Sequence, residues 1–210
     1  MASTRQRQRR ALAAGGIVLG IGAVLVAASW TDRVLGNTDF GSGAKFGIES
    51  SVDGGTTWAS HPMGGPNPLT FSSTAAGLTP GTVVYAPVQL RTEVGSAAGS
   101  IVLQGASFTG TGVGSLSAEL RYRVVRGAAT CNAAAFSTTS TFVVGSSGAV
   151  TLDTAAPAAF PLAAGAVVTA PGVAMPLCFE ISLPATNENW TNAALQNKIL
   201  VANWPFVGTS

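Results

Sequence analysis

Apolar and polar side chains alternate with a period of two along several short segments of the chain. In residues 119–124, the side chains of Leu120, Tyr122 and Val124 share one side of the alternation, and arginines lie on the other. In residues 177–183, the odd positions are apolar and the even positions are not. Successive side chains of a strand point to opposite faces, so both segments are predicted to be strands with one buried face and one face in water.

Other short apolar or alternating runs, separated by Gly, Pro and Ser, predict a chain made almost entirely of strands. The predicted strands cover residues 46–51, 69–74, 82–91, 100–108, 118–125, 140–144, 166–170, 177–183 and 198–207. Pro157 and Pro161 exclude an interior helix over residues 155–166, and only residues 190–197 are expected to form a short helix. Strands joined by short connections predict an all-β fold, a two-sheet antiparallel β-sandwich of jelly-roll-like architecture.

Residues 1–29 have a different pattern, which predicts a signal peptide helix ahead of the sandwich. The positive head of this segment consists of Arg5, Arg7, Arg9 and Arg10. Residues 11–28 are all Ala, Gly, Ile, Val or Leu, and the small residues Ala27, Ala28 and Ser29 predict signal peptidase cleavage before Trp30. An uncleaved membrane anchor is the alternative, because the apolar run approaches the length that crosses a bilayer.

Removal of this leader changes the charge of the protein. The whole chain has a net charge of +2, but residues 30–210 carry seven basic and nine acidic residues, a net charge of about −2. Nucleic-acid binding is therefore not expected, because it requires clustered Lys and Arg. No linker or repeat divides residues 30–210, which are predicted to form a single domain.

The residue types that carry chemistry are few. Cys131 and Cys178 are the two cysteines, and an even number in an exported protein indicates a disulfide, with free thiols or an intermolecular bridge as alternatives. His61 is the single histidine, so no metal site, cofactor or enzymatic activity is expected. Among the aromatic residues, Trp204 and Phe206 are expected in the core, and Trp58 is the candidate for ligand contact.

Several motifs, taken in their order along the chain, resemble those of one protein family. They are Ala28-Ser29-Trp30-Thr31-Asp32 after the leader, Asp39-Phe40-Gly41-Ser42-Gly43, Phe46-Gly47-Ile48, Gly77-Leu78-Thr79-Pro80-Gly81 before Tyr85-Ala86-Pro87-Val88-Gln89-Leu90, Leu195-Gln196-Asn197-Lys198, and Trp204-Pro205-Phe206. The chain resembles the TasA and camelysin (CalY) family of Gram-positive cell-surface proteins, which carry SipW-dependent-type signal peptides.

The resemblance implies a jelly-roll sandwich, release by a dedicated signal peptidase, and assembly of copies into fibres of the cell surface or biofilm matrix. In fibre-forming relatives the mature N-terminal segment completes the sheet of the next subunit. That donor segment corresponds here to residues 30–45, and the candidate assembly residues are Trp30, Asp32, Phe40 and Phe46. Camelysin relatives are sometimes classed as metallopeptidases, but this sequence shows no recognisable zinc ligand set.

Two functions are therefore expected as alternatives. The first is a secreted structural protein of the cell surface or extracellular matrix, with copies of itself as partners. The second is a monomeric extracellular module that binds a cell-wall glycan or a host ligand through Trp58. In both, the membrane is contacted only through the uncleaved leader.

Overall fold

Antiparallel strands form most of the regular structure in the computed structural model, which describes residues 45–60 and 78–210. The predicted signal peptide, residues 30–44, the predicted strand at 69–74 and His61 lie outside the described residues. The strands in chain order are β1 (Ile48–Ser51), β2 (Val83–Thr92), β3 (Gly99–Leu103), β4 (Ser107–Thr109), β5 (Arg121–Arg126), β6 (Thr141–Val144), β7 (Val150–Thr151), β8 (Phe160–Leu162), β9 (Met175–Ser182), β10 (Val201–Asn203) and β11 (Phe206–Thr209).

The larger sheet has six strands in the order β1-β2-β9-β5-β6, with β7 also paired to β5. Every pair in it is antiparallel. Its central strands β5 and β9 contain the two segments with clear period-two alternation, and β2 alternates between buried and less buried side chains. The side chains predicted to lie inside on β5, Tyr122 and Val124, are fully buried.

The second layer contains β11-β3-β8 and the pair β10-β4. These two parts are continuous. Between the β3–β11 ladder and the β4–β10 ladder, the Gln104 N–H donates to the Pro205 carbonyl at 2.8 Å. The predicted strands 100–108 and 198–207 are therefore each a bent strand in two pieces. Residues 152–153 lie against the bend between β3 and β4. The Ala106 N–H donates to the Leu152 carbonyl at 3.0 Å, and a Cβ at Gly105 would overlap the Asp153 carbonyl.

Aromatic side chains join the two layers. The Trp204 ring lies with its centroid 5.5 Å from those of Tyr122 and Phe179, and Phe206 lies 6.5 Å from Phe179. The Trp204 indole N–H donates to the Leu152 carbonyl at 3.1 Å, and burial raises the pKa of Tyr122 to about 12. These contacts confirm the predicted antiparallel sandwich and the core positions of Trp204 and Phe206.

Three details differ from the expected elements. Residues 166–170 form turns rather than a strand, and β7 and β8 are strands that the sequence pattern did not indicate. The predicted strand 118–125 begins at Arg121, because helix α1 (Leu116–Glu119) precedes it. The expected helix is α2 (Asn187–Thr191), whose N-terminus is capped by Thr186, followed by a 3₁₀ turn at Ala193–Leu195.

The described residues all belong to one compact unit. In this part of the chain, no helix has both the length and the apolar character needed to cross a membrane.

Candidate functional site

The outward face of the larger sheet carries the disulfide. Cys131 and Cys178 are bonded with their Cα atoms 5.1 Å apart, which confirms the predicted intrachain bridge. The bridge holds the loop of residues 127–140 against β9, where Val125, Phe136 and Cys178 form a second, small apolar cluster. This loop covers part of a face that the alternation predicts to be in water.

A row of polar side chains lies beside this cluster. Tyr85, Glu180 and Arg123 are neighbours across β2, β9 and β5. Arg123 Nε lies 2.6 Å from Glu180 Oε1, and Arg123 Nη2 lies 2.9 Å from Glu180 Oε2. The Arg123 guanidinium is also 4.8 Å from the Phe136 ring centroid. Burial, together with the Glu180 carboxylate, raises the pKa of Tyr85. Because these groups satisfy one another under the loop, the row stabilises the fold rather than forming an open site.

Trp58 is partly buried on the same face of the sheet. Its indole N–H donates to the Gly55 carbonyl at 2.8 Å, and the Arg91 guanidinium lies 4.0 Å from the centroid of its ring. Arg91 is in turn paired with Glu49, with Nη2 and Oε2 2.7 Å apart. Arg91 therefore covers one face of the ring that was predicted to contact a ligand, and this role of Trp58 stays a prediction.

Residues 45–47 bind the turn between β2 and β3. The Lys45 carbonyl accepts from the Ala97 N–H at 2.8 Å, and Lys45 Nζ lies 2.6 Å from Glu93 Oε2. Phe46 packs on the core, and a Cβ at either Gly99 or Gly208 would overlap its ring. Of the candidate assembly residues, Phe46 thus belongs to its own domain, whereas Trp30, Asp32 and Phe40 lie outside the described residues.

Four exposed valines lie around residues 45–47 and the β2–β3 turn, and we call this surface the valine end. Its members are Val94, Val167, Val168 and Val173. Val168 is 82% exposed at the tip of a loop that begins after β8. The Gly172 N–H fixes this loop by donating to the Thr92 carbonyl at 3.0 Å, and a shallow groove lined by residues 95–97 and 164–168 lies beside it. In the sequence, the apolar run at 166–170 could have revealed this exposed surface. The run belongs to the loop and not to the strand that it predicts.

A second exposed apolar cluster lies around β10, and we call it the β10 end. It consists of Val113, Ile199 and Val201. The Gly112 N–H donates to the Ile199 carbonyl at 2.8 Å, which brings Val113 beside Ile199, and Val201 lies opposite Thr109. Among the described residues, β10 and β4 pair only with each other, so each has an outer edge that is not part of a ladder.

The two clusters lie at opposite ends of the second layer. The bent strand formed by β3 and β4 starts at Gly99, next to Phe46 and the valine end, and finishes at Thr109, next to Val201. One end of the layer therefore presents exposed valines and the first described residues, 45–47. The other end presents exposed apolar side chains and strand edges that pair with no other described strand.

No group of three or more His, Cys, Asp or Glu side chains that could hold a metal ion occurs within residues 45–60 and 78–210. The fold and its bridge define the molecule as an antiparallel β-sandwich stabilised by one disulfide. No protein-family model matches the sequence, and no curated protein matches it.

Proposed function

We propose that the chain is an exported structural protein of the cell surface or extracellular matrix, and that its copies associate end to end. The observation that carries the proposal is the pair of exposed apolar clusters at opposite ends of the second layer. Contiguous exposed apolar surface on a soluble protein commonly marks an interaction site. Association between two different surfaces continues from copy to copy, and it produces a filament when the rotation between copies does not close into a ring.

The N-terminal segment supplies a second contact in the proposed assembly. Residues 30–44 join the domain at Lys45, beside the valine end. When the valine end of one copy meets the β10 end of the next, the point at which this segment joins Lys45 lies near the outer edges of β10 and β4, which pair with no other described strand. An extended segment that pairs with such an edge satisfies its backbone groups. Trp30, Asp32 and Phe40 would then act between copies, whereas Phe46 remains in its own domain.

Export rests on the leader and on the disulfide. The Cys131–Cys178 bridge is of the kind that persists in oxidising compartments. Charged residues make up only 10% of the chain, so little electrostatic repulsion opposes contact between copies. The partners in this proposal are a signal peptidase during export, other copies of the chain, and components of the wall or matrix. N-terminal sequencing of the released protein, which is expected to begin at Trp30, tests the export step.

Electron microscopy and light scattering of the chain from Trp30 onward test the assembly. We expect elongated particles that are lost when residues 30–44 are deleted, a truncation that leaves Lys45 and Phe46 in place. Substitution of Ile199 and Val201 by serine at the β10 end is expected to have the same effect.

The matched control is Val83→Ser, which alters an exposed strand valine of the larger sheet outside both clusters. Monomers under all conditions would contradict the proposal. Equal loss of assembly in the control would show that the two named ends are not the contact surfaces.

A further inference from the structure

A polar groove lies next to the disulfide, at the end of β5. Its volume is about 380 Å³, which is at the lower end of the range for ligand sites. Its lining includes Arg126 and the hydroxyl-bearing residues Thr130, Thr139, Ser140 and Thr141, together with a glycine and four alanines. The lining thus combines one guanidinium with four hydroxyl groups and contains no acidic residue.

Arg126 differs from the other arginines of the sandwich. Arg91 and Arg123 are each paired with a glutamate, and Arg121 Nη1 donates to the Ala118 carbonyl at 2.6 Å. Arg126 is partly buried, and within the described part of the chain its guanidinium has neither an ion pair nor a hydrogen bond. A guanidinium keeps its charge at all accessible pH values and matches the geometry of carboxylate, sulfate and phosphate groups. Arg126 therefore supplies an unused positive charge at the lining of the groove.

The walls of the groove are held in place before any ligand arrives. The Cys131–Cys178 bridge fixes one wall to β9, and the Ser140 hydroxyl links the two walls by donating to the Ala135 carbonyl at 2.6 Å. The Asn132 side chain accepts from the Ala134 N–H at 3.0 Å and so caps the short turn in the first wall. A site that is already ordered loses less conformational entropy on binding.

We propose that this groove binds an anionic saccharide, a sugar that carries a carboxylate or sulfate group. Arg126 pairs with the oxyanion. The hydroxyls of Thr130 and Thr141, which have no hydrogen-bond partner in the described residues, bond to the sugar hydroxyls. This site is separate from both apolar ends and from Trp58. It would attach the protein to an acidic polysaccharide whether or not copies of the chain associate.

Affinity electrophoresis of the mature protein tests the proposal. Gels containing polygalacturonate, dextran sulfate or neutral dextran are compared at low salt. We expect retardation by at least one of the two anionic polymers and none by neutral dextran, and the effective anionic polymer identifies the preferred oxyanion. Higher salt should weaken the retardation, because exposed charges are screened.

Arg126→Gln is expected to weaken binding about tenfold, as the loss of one charge-assisted hydrogen-bonded pair predicts. The matched control Arg121→Gln removes an equal charge from the same strand and should leave binding unchanged. Thermal unfolding of both variants checks that the fold is retained, and Thr141→Val provides a neutral second variant that should also reduce retardation. The proposal is overturned by the absence of retardation in both anionic gels, by equal retardation in neutral dextran, or by equal losses in the two arginine variants.

Discussion

Two glutamate–arginine pairs on the same face of the larger sheet differ in their surroundings. The Glu180 side chain is 7% exposed beneath the disulfide-bonded loop, whereas the Glu49 side chain is 18% exposed near the edge of the sheet. A partner removed from a buried pair leaves an unpaired charge with little water around it, which costs more than the same change at the surface.

We therefore expect Glu180→Gln to lower the free energy of unfolding by about 3 kcal/mol. The matched change Glu49→Gln, in the pair with Arg91, should cost about 1 kcal/mol or less. Urea unfolding followed by circular dichroism measures both values. Equal losses in the two variants would show that the loop does not shield Glu180 from water.

The environment of Glu180 shows where residue-level prediction from the sequence ends. The alternation in residues 177–183 correctly assigns Leu177, Phe179 and Ile181 to the core face. It also assigns Cys178 and Glu180 to a face in water, but both are buried because the loop of residues 127–140 lies over them. That contact joins positions far apart in sequence, so no local pattern reports it.

At the scale of elements, prediction succeeds where a strand is long and regularly patterned. Strands β2 and β9 were expected close to their observed bounds. The two- and three-residue strands β7 and β8 are too short to display a period. The apolar run at 166–170 predicts a strand but forms an exposed loop tip, because an apolar run alone does not distinguish the two.

The loop of residues 127–140 depends on the disulfide for its position. Cys131 and Cys178 are separated by 47 positions in the sequence. Closing a loop of that length restricts the unfolded chain, which on the chain-entropy model stabilises the folded state by about 4 kcal/mol. The bridge also keeps the small apolar cluster around Val125 and Phe136 covered.

We expect the double variant Cys131→Ser and Cys178→Ser to be less stable than the oxidised protein by about 4 kcal/mol, measured by urea unfolding. The wild-type protein unfolded in the presence of a reducing agent is the control and should show a similar loss. A loss near zero in both would mean that the bridge does not constrain the unfolded chain, and that the loop is held by its apolar contacts alone.

At the scale of the whole molecule, the contacts of the first described residues decide which of the candidate assembly residues belong to the sandwich. The resemblance places the donor segment at residues 30–45, with Phe46 as a candidate assembly residue. In the structure, Lys45 is bonded to Ala97 and paired with Glu93, and Phe46 packs between Gly99 and Gly208. The described fold therefore includes Lys45 and Phe46 as part of its own sandwich.

We expect a chain of residues 45–210 to unfold at the same urea concentration as the chain of residues 30–210 when both are measured as monomers, at a protein concentration too low for assembly. A chain of residues 48–210 should be less stable by about 3 kcal/mol, because it loses the aromatic ring of Phe46 from the core. Phe46→Ala in the longer chain is the control and should reproduce most of that loss. If removal of residues 30–44 alone destabilised the domain, the segment would be bound to its own sandwich. It would then not be available to pair with β10 of another copy, and the proposed second contact between copies would have to be abandoned.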